Sequence, residues 1–125
     1  MEAADIFSMN VLEESIEDNP RNFTRFVVIE REALTEGPKN KSSIVFSTSN
    51  NPGALFEVMK IFSENRINLV KLESRPIHGK PWQYMFYTDL EADMTDIEKK
   101  TVLEDIRKNT EFIRILGSYN CGSGK

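Results

Sequence analysis

The chain has 125 residues, which is the length of about one domain by the usual range of roughly 100 to 200 residues. Its 39% hydrophobic and 29% charged residues are typical of a globular protein, and no apolar run approaches the roughly 20 residues of a membrane span. The net charge of −4 leaves no basic surface for a phosphate backbone, which argues against a nucleic-acid partner. The acidic N-terminus lacks the features of a secretory signal, so the sequence predicts a cytoplasmic protein without a membrane anchor.

Metal binding and disulfide formation have little support in this sequence. Cys121 is the single cysteine and can form no internal disulfide, and His78 is the single histidine. The two residues provide no set of His and Cys ligands, so we expect no metal site. Cys121 is interpreted as a tail residue and His78 as a loop residue.

The first part of the chain is too short to fold as a domain of its own. Apolar residues at helical spacing, Ile6, Met9, Leu12 and Ile16, predict a helix, and "FTRFVVIERE" (23–32) has the composition of a strand. One helix and one strand cannot bury a core. We therefore expect residues 1–32 to be the end of a longer domain, followed by a polar linker over 33–41 that contains a Gly-Pro pair.

The second part begins with a predicted strand and helix. "SSIVFST" (42–48) places Ile44 and Phe46 on one face of a strand and Val45 on the other. In the following segment, Asn50 or Asn51 is a candidate N-cap, and Pro52 suits a first helical turn. The apolar residues of this helix recur at helical spacing and predict one buried face: Leu55, Val58, Met59 and Phe62.

A hairpin, a second helix and a last strand complete the predicted pattern. "INLVKLESRP" and "PWQYMFYTDLE" predict antiparallel strands joined by a turn at Gly79. The predicted helix over 94–109 has a capping box at Thr95 and Glu98, and "EFIRILGSY" (111–119) predicts the last strand. The inward residues of that helix are expected to be Ile97, Val102, Leu103 and Ile106.

The order strand, helix, strand, strand, helix, strand over 42–120 favours an α+β fold. It is typical of a ferredoxin-like βαββαβ sandwich, with one antiparallel sheet and both helices on one face. Such a sheet leaves a face and its edges open, which predicts either packing on another domain or a homo-oligomer, a dimer or a tetramer.

Several side chains are candidates for binding on chemical grounds. Gly53 at a helix start leaves the amide donors accessible to a carboxylate, although an ordinary helix start has the same residues. The cluster Glu73, Ser74 and Arg75 provides ligand groups, interface ion pairs or a solvated strand end, and Pro76 predicts the end of the strand. The aromatic residues at alternating positions share one sheet face and are interpreted as core or interface: Trp82, Tyr84 and Phe86.

Thr24 and Arg25 are a further candidate pair in "NFTRF". An arginine binds carboxylates and a threonine hydroxyl can donate to a leaving oxygen, although neighbours on a strand point to opposite faces. Two such residues do not by themselves form a catalytic site.

Two separate stretches resemble the prephenate dehydratase family. "GALFEVMKIFSENRINLVKLESRP" resembles its ACT regulatory domain, with residues 53–56 similar to a Gly-Ala-Leu-Val signature and residues 73–76 matching Glu-Ser-Arg-Pro. "MNVLEESIEDNPRNFTRFVVI" resembles the end of the catalytic domain, with Asp18 ahead of Thr24-Arg25-Phe26. Val70 departs from the resemblance, because the family commonly has Ser or Thr there.

The resemblance implies a dehydratase that converts prephenate to phenylpyruvate, carbon dioxide and water without a cofactor or metal. Its catalytic remnant would be Thr24, Arg25 and Phe26, where Thr24 assists departure of the ring hydroxyl and Arg25 helps to hold a substrate carboxylate or to organise the cleft. Most of the catalytic domain would precede residue 1, and this chain alone would be inactive. The feedback effector L-phenylalanine would contact a helix start and the strand end of a second subunit, through Asn51, Pro52, Gly53, Ala54, Leu55, Glu73, Ser74, Arg75 and Pro76.

Two alternatives remain open from the sequence. The first is a pure binding module, either a free-standing amino-acid-sensing ACT protein or the regulatory domain of an aromatic amino-acid hydroxylase, although "NFTRF" has no role in such a protein. The second is a structural dimerisation unit that has lost its ligand, which the departure at Val70 keeps open.

Overall fold

A computed structural model describes residues 2–21, 24–33, 36–80 and 82–121 of the chain. Several positions used in the predictions lie outside these ranges, namely Phe23 in the predicted N-terminal strand, 34–35 in the linker and Pro81 in the hairpin. The chain divides into two compact units, Met1–Glu30 and Arg31–Lys125. Within the described ranges, no helix has the length and apolar character needed to cross a membrane.

The N-terminal unit contains one short helix. Helix α1 spans Glu2–Ile6, so the helix predicted to extend towards Ile16 ends after little more than one turn. The described residues 24–33 form no strand, which corrects the strand predicted there. The physical reason is a lack of burial, because Leu12 is 97% exposed and Ile29 is 90% exposed. Apolar spacing stabilises a helix or strand only where another surface covers it.

The second unit has the predicted α+β architecture. The structure places four strands in one antiparallel sheet with the order β2-β3-β1-β4. The helices α2 and α3 contact each other. The elements in chain order are β1 (Lys41–Ser47), α2 (Ala54–Glu64), β2 (Leu69–Pro76), β3 (Tyr84–Leu90), α3 (Lys100–Lys108) and β4 (Phe112–Tyr119).

One hydrophobic core lies between the helices and the sheet. The predicted periodicity of β1 and α2 is confirmed, because Ile44, Phe46, Val58 and Phe62 are all fully buried. In α3, Ile106 is fully buried as predicted. The core cluster consists of Ile44, Phe46, Val58, Phe62, Ile67, Leu90, Met94, Val102 and Ile106.

The structure corrects the start of each helix. The N-cap of α2 is Gly53, without a side-chain cap, rather than Asn50 or Asn51. The segment before α3 is a 3-10 turn over Ile97–Lys99 capped by Asp96, whose carboxylate accepts from the Glu98 amide at 3.1 Å. The predicted cap Thr95 instead donates its hydroxyl to Asp93.

Ile97 was also predicted to face inward, and that prediction is wrong. It is 83% exposed at the start of the 3-10 turn. The tighter winding of the 3-10 turn changes the angular position of Ile97, so the spacing of α3 does not carry it into the core.

A buried polar cluster fastens the loop between β3 and α3 to the sheet. The Ser42 hydroxyl is fully buried, donates to the Ala92 carbonyl at 2.7 Å and accepts from the Met94 amide at 2.8 Å. It also lies 2.6 Å from the Ser118 hydroxyl on β4. These bonds satisfy the polar groups of the loop where it crosses the end of the sheet.

Candidate functional site

A surface cavity of about 320 Å³ lies at the end of β1, where the chain turns into α2. This volume falls at the lower end of the range of small-molecule sites. None of its described lining residues carries a charge, so recognition there depends on backbone groups, hydroxyls, amides and aromatic rings. The lining residues are Thr48, Ser49, Asn50, Asn51, Gly53, Ala54, Leu55, Phe56, Trp82, Tyr84 and Phe86.

Gly53 and the first residues of α2 form one wall of this cavity. Its φ is 85° and its ψ is −7°, a left-handed conformation that glycine adopts without the cost imposed by a Cβ. The Ala54 amide donates to the Asn51 carbonyl at 3.2 Å. The amides of Leu55 and Phe56 occupy helical positions that have no intrahelical acceptor. The positive end of the α2 dipole therefore faces the cavity with donors suited to an anion.

Aromatic side chains form the opposite wall. Tyr84 and Phe86 lie two residues apart on β3 and point to the same face of the sheet. Phe86 is held by stacking on Phe46 of the core, with the ring centroids 5.3 Å apart. Trp82 was predicted to continue the alternation of Tyr84 and Phe86. It instead precedes β3 with a φ of 69° and is 74% exposed, so the alternation of the strand does not extend to it. The three rings line the cavity rather than only packing beneath it.

The predicted motif at 73–76 is divided between the two faces of the sheet. In the β2–β3 register, Ser74 is opposite Phe86 and Pro76 is opposite Tyr84. Directly opposed residues share a face, so Ser74 and Pro76 lie on the same side as the cavity. Glu73 is opposite Tyr87 and Arg75 is opposite Met85, so both charged side chains project from the other face of the sheet.

Glu73 is the centre of a row of ion pairs on that other face. Its carboxylate lies 2.8 Å from the Arg75 Nε and 3.6 Å from the Lys71 Nζ. The hydrogen bond and the positive charge of Arg75 lower the pKa of Glu73 below 4.5, and Lys71 acts in the same direction. Exposed ion pairs of this kind contribute little to stability, but they fix the direction of the side chains.

The predicted effector residues therefore fall into two groups. Asn51, Gly53, Ala54 and Leu55 line the cavity, whereas Pro52 is exposed and is not among the lining residues. No residue of 73–76 lines it either, although Ser74 and Pro76 are next to residues that do. Sequence reasoning did not identify Thr48, Ser49, Asn50 and Phe56 as effector-site residues. Phe56 occupies the last place of the 53–56 signature, which was a usable signal, and its side chain is 63% exposed.

The candidate catalytic residues lie in the N-terminal unit. Thr24 and Arg25 are exposed, and Phe26 is 86% exposed. They lie in a segment without regular secondary structure. Thr24 is therefore open to solvent in the described part of this unit, which does not exclude water from a reacting group.

His78 and Cys121 lie outside the cavity lining. His78 is exposed in the β2–β3 turn, and Cys121 is a half-buried free thiol whose amide donates to Asn40 at 2.9 Å. In the part of the chain that the structure describes, no three His, Cys, Asp or Glu side chains come together as a metal site.

The fold and the cavity together define a class of protein, an α+β module with a surface cavity at the turn from its first strand into its first long helix. Residues 42–108, more than half of the chain, match the family model of the ACT domain. The chain therefore belongs to the ACT domain family. Residues 1–34 match the family model of prephenate dehydratase, which confirms the two-part resemblance seen in the sequence.

The similar proteins include dehydratases of two names. A bifunctional chorismate mutase/prephenate dehydratase of Aquifex aeolicus (strain VF5) is 38% identical over 117 residues, covering 94% of this chain and 32% of that protein. Arogenate dehydratase 2 of Petunia hybrida is 37% identical over 138 residues, covering 98% of this chain and 35% of that protein. The chain thus spans about a third of the length of the curated relatives it matches.

A solved structure adds a ligand to the comparison. The crystal structure of prephenate dehydratase from Arthrobacter aurescens in complex with L-Phe matches with a TM-score of 0.63 and 29% identity. The match covers 75% of this chain and 31% of that one.

Proposed function

We propose that this chain is the regulatory part of a prephenate dehydratase and that its cavity binds L-phenylalanine as a feedback effector. The observation that carries the proposal is the pairing of an aromatic wall with the uncapped start of α2 across one small cavity. Supporting it, the matched Arthrobacter aurescens dehydratase was solved with L-Phe.

The chemistry of the two walls matches the two ends of an aromatic amino acid. The carboxylate would accept hydrogen bonds from the Leu55 and Phe56 amides, where the α2 dipole favours negative charge. The ring would pack on Tyr84 and Phe86 in an offset or edge-to-face arrangement. The ammonium group would donate to the side-chain oxygens of the loop before α2, which include Asn51.

The 73–76 motif would contribute through its cavity-side half. Ser74 would extend the wall beyond Phe86, and Pro76 would end β2 next to Tyr84. The resemblance places the strand end of a second subunit at the effector, so we propose that the bound form is a homo-oligomer. Inhibition then requires that the effector bind one arrangement of the whole enzyme more tightly than another.

For the catalytic part we propose the roles that the resemblance implies. Thr24 would assist the departure of the ring hydroxyl of prephenate and Arg25 would hold a substrate carboxylate, with Phe26 beside them. Residues 1–32 would be the end of the catalytic domain, 33–41 a linker and 42–120 the ACT domain, in a cytoplasmic enzyme. The Petunia hybrida relative leaves arogenate as the alternative substrate, and a turnover assay of a whole enzyme with both compounds would separate them.

A free-standing amino-acid sensor is the second candidate function. Its cavity would bind the same ligand, so binding alone does not separate the two. The match of residues 1–34 to the prephenate dehydratase model favours the dehydratase.

Calorimetric titration of the chain with L-phenylalanine tests the proposal. L-Tyrosine, L-tryptophan and D-phenylalanine serve as comparators, and phenethylamine, which lacks the carboxylate, tests the role of the α2 amides. We expect saturable binding selective for L-phenylalanine and none for phenethylamine. A folded chain that binds no L-phenylalanine would overturn the effector proposal and leave a structural dimerisation unit.

Matched phenylalanine variants locate the site. Phe86→Leu removes a ring from the cavity wall, and we expect a roughly three- to tenfold loss of affinity. Phe112→Leu changes a half-exposed phenylalanine on β4 that is opposite Ser47 and does not line the cavity, and it should leave affinity unchanged. Equal losses in both variants would place the ligand elsewhere.

A further inference from the structure

The polar side chains of the cavity are all uncharged. Apart from the aromatic rings, the polar groups among its described lining residues are hydroxyls and carboxamides: Thr48, Ser49, Asn50 and Asn51. Hydroxyl and carboxamide groups both donate and accept hydrogen bonds, whereas a carboxylate only accepts and an ammonium group only donates. These side chains therefore do not require a positive charge, or one direction of hydrogen bonding, from the ligand group that they contact.

The contact between Asn51 and Ser49 shows how these side chains can adapt to a ligand. The Asn51 Nδ2 donates to the Ser49 Oγ at 3.3 Å. Turning the carboxamide over exchanges its oxygen and nitrogen, and the Ser49 hydroxyl can then donate to the Asn51 oxygen. The hydrogen bond between the two side chains is kept, while the free end of the carboxamide changes from the oxygen to the nitrogen. A ligand can thus meet either an acceptor or a donor at Asn51.

The described lining residues also provide no carboxylate to pair with a ligand ammonium group. Glu57 is the acidic residue in the first turn of α2, and it does not line the cavity. An ammonium group that leaves water without an opposite charge gains little, because its desolvation offsets its hydrogen bonds to neutral oxygens. The amides at the start of α2, in contrast, favour a carboxylate. The cavity is therefore suited to a ring and a carboxylate more than to an ammonium group.

We propose that the cavity binds aromatic 2-oxo acids as well as aromatic amino acids, and that phenylpyruvate is such a ligand. This inference rests on the proposed function, because it keeps the same cavity and the same places for the ring and the carboxylate. The 2-oxo oxygen would replace the ammonium group and accept a hydrogen bond from the Asn51 Nδ2 after the carboxamide has turned over. The ring would still pack on Tyr84 and Phe86.

This ligand class has a consequence for regulation. Phenylpyruvate is the product of the proposed dehydratase reaction, so the product and the amino-acid effector would compete for one cavity. The two compounds share the ring, the methylene and the carboxylate, and they differ in the group on C2, the carbon next to the carboxylate. The regulatory part would then respond to what the catalytic part makes, provided that phenylpyruvate binds one arrangement of the whole enzyme more tightly than another.

Competitive calorimetric titration of the chain tests the ligand class. Phenylpyruvate is titrated into the chain alone and into the chain saturated with L-phenylalanine. We expect a dissociation constant within about tenfold of that for L-phenylalanine, together with mutual competition, because only the hydrogen bonds at C2 differ. 3-Phenylpropanoate, which has no polar group on C2, should bind roughly three- to tenfold more weakly than phenylpyruvate.

The outcomes separate this inference from the proposed function. If L-phenylalanine binds and phenylpyruvate is more than about tenfold weaker, the inference is overturned and the effector proposal stands. Binding of phenylpyruvate without competition would place it at another site, which also overturns the inference. Binding of phenylpyruvate alone would support the ligand class and overturn L-phenylalanine as the effector. A folded chain that binds neither compound overturns both proposals.

Asn51→Asp tests whether Asn51 contacts the group on C2. The aspartate carboxylate has nearly the shape of the carboxamide, but it only accepts hydrogen bonds and carries a negative charge. It should pair with the ammonium group and leave the 2-oxo oxygen without a donor. We expect the ratio of the affinity for L-phenylalanine to that for phenylpyruvate to rise by about tenfold. Repulsion of the ligand carboxylate is common to both compounds and cancels in this ratio.

Asn120→Asp is the matched control, since it adds the same charge to the chain. Asn120 is exposed and does not line the cavity, and its side-chain oxygen, which aspartate keeps, accepts from the Asn40 Nδ2 at 3.2 Å. The affinity ratio should stay unchanged in this variant. A ratio that rises equally in both variants, or in neither, would contradict the position proposed for the group on C2. Circular dichroism checks that both variants are folded.

Discussion

Gly53 has a left-handed backbone conformation and also lines the cavity. Its φ of 85° and that of Gly79, 76°, both lie in the left-handed region, and an added Cβ would meet no atom within 4 Å at either residue. The sequence signalled both positions, Gly53 as a helix start and Gly79 as a hairpin turn. It could not indicate that Gly53 itself is the N-cap, because the prior preference for Asn at this position is strong.

Gly53→Val and Gly79→Val therefore form a matched pair. Each forces a branched side chain into a left-handed backbone, and we expect each to lower the free energy of unfolding by about 2 kcal/mol. Only Gly53→Val places new atoms in front of the α2 amides, so only this variant should lose L-phenylalanine binding. Urea unfolding and calorimetric titration measure the two effects. Retained affinity in Gly53→Val would contradict the proposed position of the carboxylate.

Asp93 lies in the loop between β3 and α3 and is held there by hydrogen bonds. The spacing of apolar residues in the sequence does not reveal such bonds. Its carboxylate accepts from the Thr95 amide at 2.9 Å and from the Thr95 hydroxyl. Partial burial raises the pKa of Asp93, but hydrogen bonds from Thr95 and Ser118 and the charge of Lys39 outweigh burial, so the pKa lies below 3.8. The use of Thr95 in this way explains why Asp96 replaces it as the cap.

A lowered pKa makes the contribution of Asp93 to stability dependent on pH. Because the folded form holds the proton less tightly than the unfolded chain, the contribution is complete above pH 3.8 and is lost as the pH falls through the folded pKa. We expect Asp93→Asn to lower the free energy of unfolding by about 1 kcal/mol at pH 7, with the difference shrinking below about pH 4. Urea titrations from pH 7 to pH 3 measure it. A difference that grows towards acid pH would contradict this assignment.

At the scale of elements, the sequence predicted the strands of the second unit and the apolar faces of α2 and α3. Alternation in β1 and helical spacing in α2 both arise from one buried face, and the structure buries Phe46 and Phe62 there. Alternation along a strand already places Glu73 and Arg75 on the face opposite to Ser74 and Pro76. Which half of the motif shares the cavity face depends on the register between β2 and β3, which two short strands and a turn of unspecified type do not determine.

The start of α2 carries one acidic residue, Glu57, in its first turn. A carboxylate at this position stabilises the helix through the dipole, but it also repels an anionic ligand group at the same helix end. We expect Glu57→Gln to raise the affinity for L-phenylalanine roughly two- to fivefold at low salt while slightly lowering stability. Titrations at two ionic strengths measure the gain.

The same test has an internal control on α2. Glu64 lies in the last turn and forms an ion pair with Lys60 at 3.9 Å, far along the helix from Gly53. Glu64→Gln removes the same charge from the chain, so an equal gain in both variants would indicate a general effect of net charge. A gain that persists unchanged at high salt would also argue against repulsion at the helix start.

At the scale of the whole molecule, the two units differ in how well their sequences predicted their structure. The second unit buries its own apolar residues, so local patterns and tertiary packing agree. In the N-terminal unit, Val28 is 83% exposed and Phe26 is 86% exposed. The strand-like pattern there was interpreted as the end of a longer domain, and the described residues lack the neighbouring strand that such a pattern requires.

The exposure of Thr24 predicts that this chain by itself has no dehydratase activity. Departure of a hydroxyl from prephenate needs a positioned donor, a clamped carboxylate and a site that excludes water. Thr24 is exposed in a segment without regular structure, and the chain spans about a third of its relatives' length. We expect the purified 125 residues to form no phenylpyruvate from prephenate above the uncatalysed rate. Absorbance of enolised phenylpyruvate in alkali measures the product, with the whole Aquifex aeolicus relative as the positive control. Turnover that disappears in Thr24→Val would show that the N-terminal unit assembles a working site by itself, and the separation of catalysis from effector binding proposed for this chain would then be wrong.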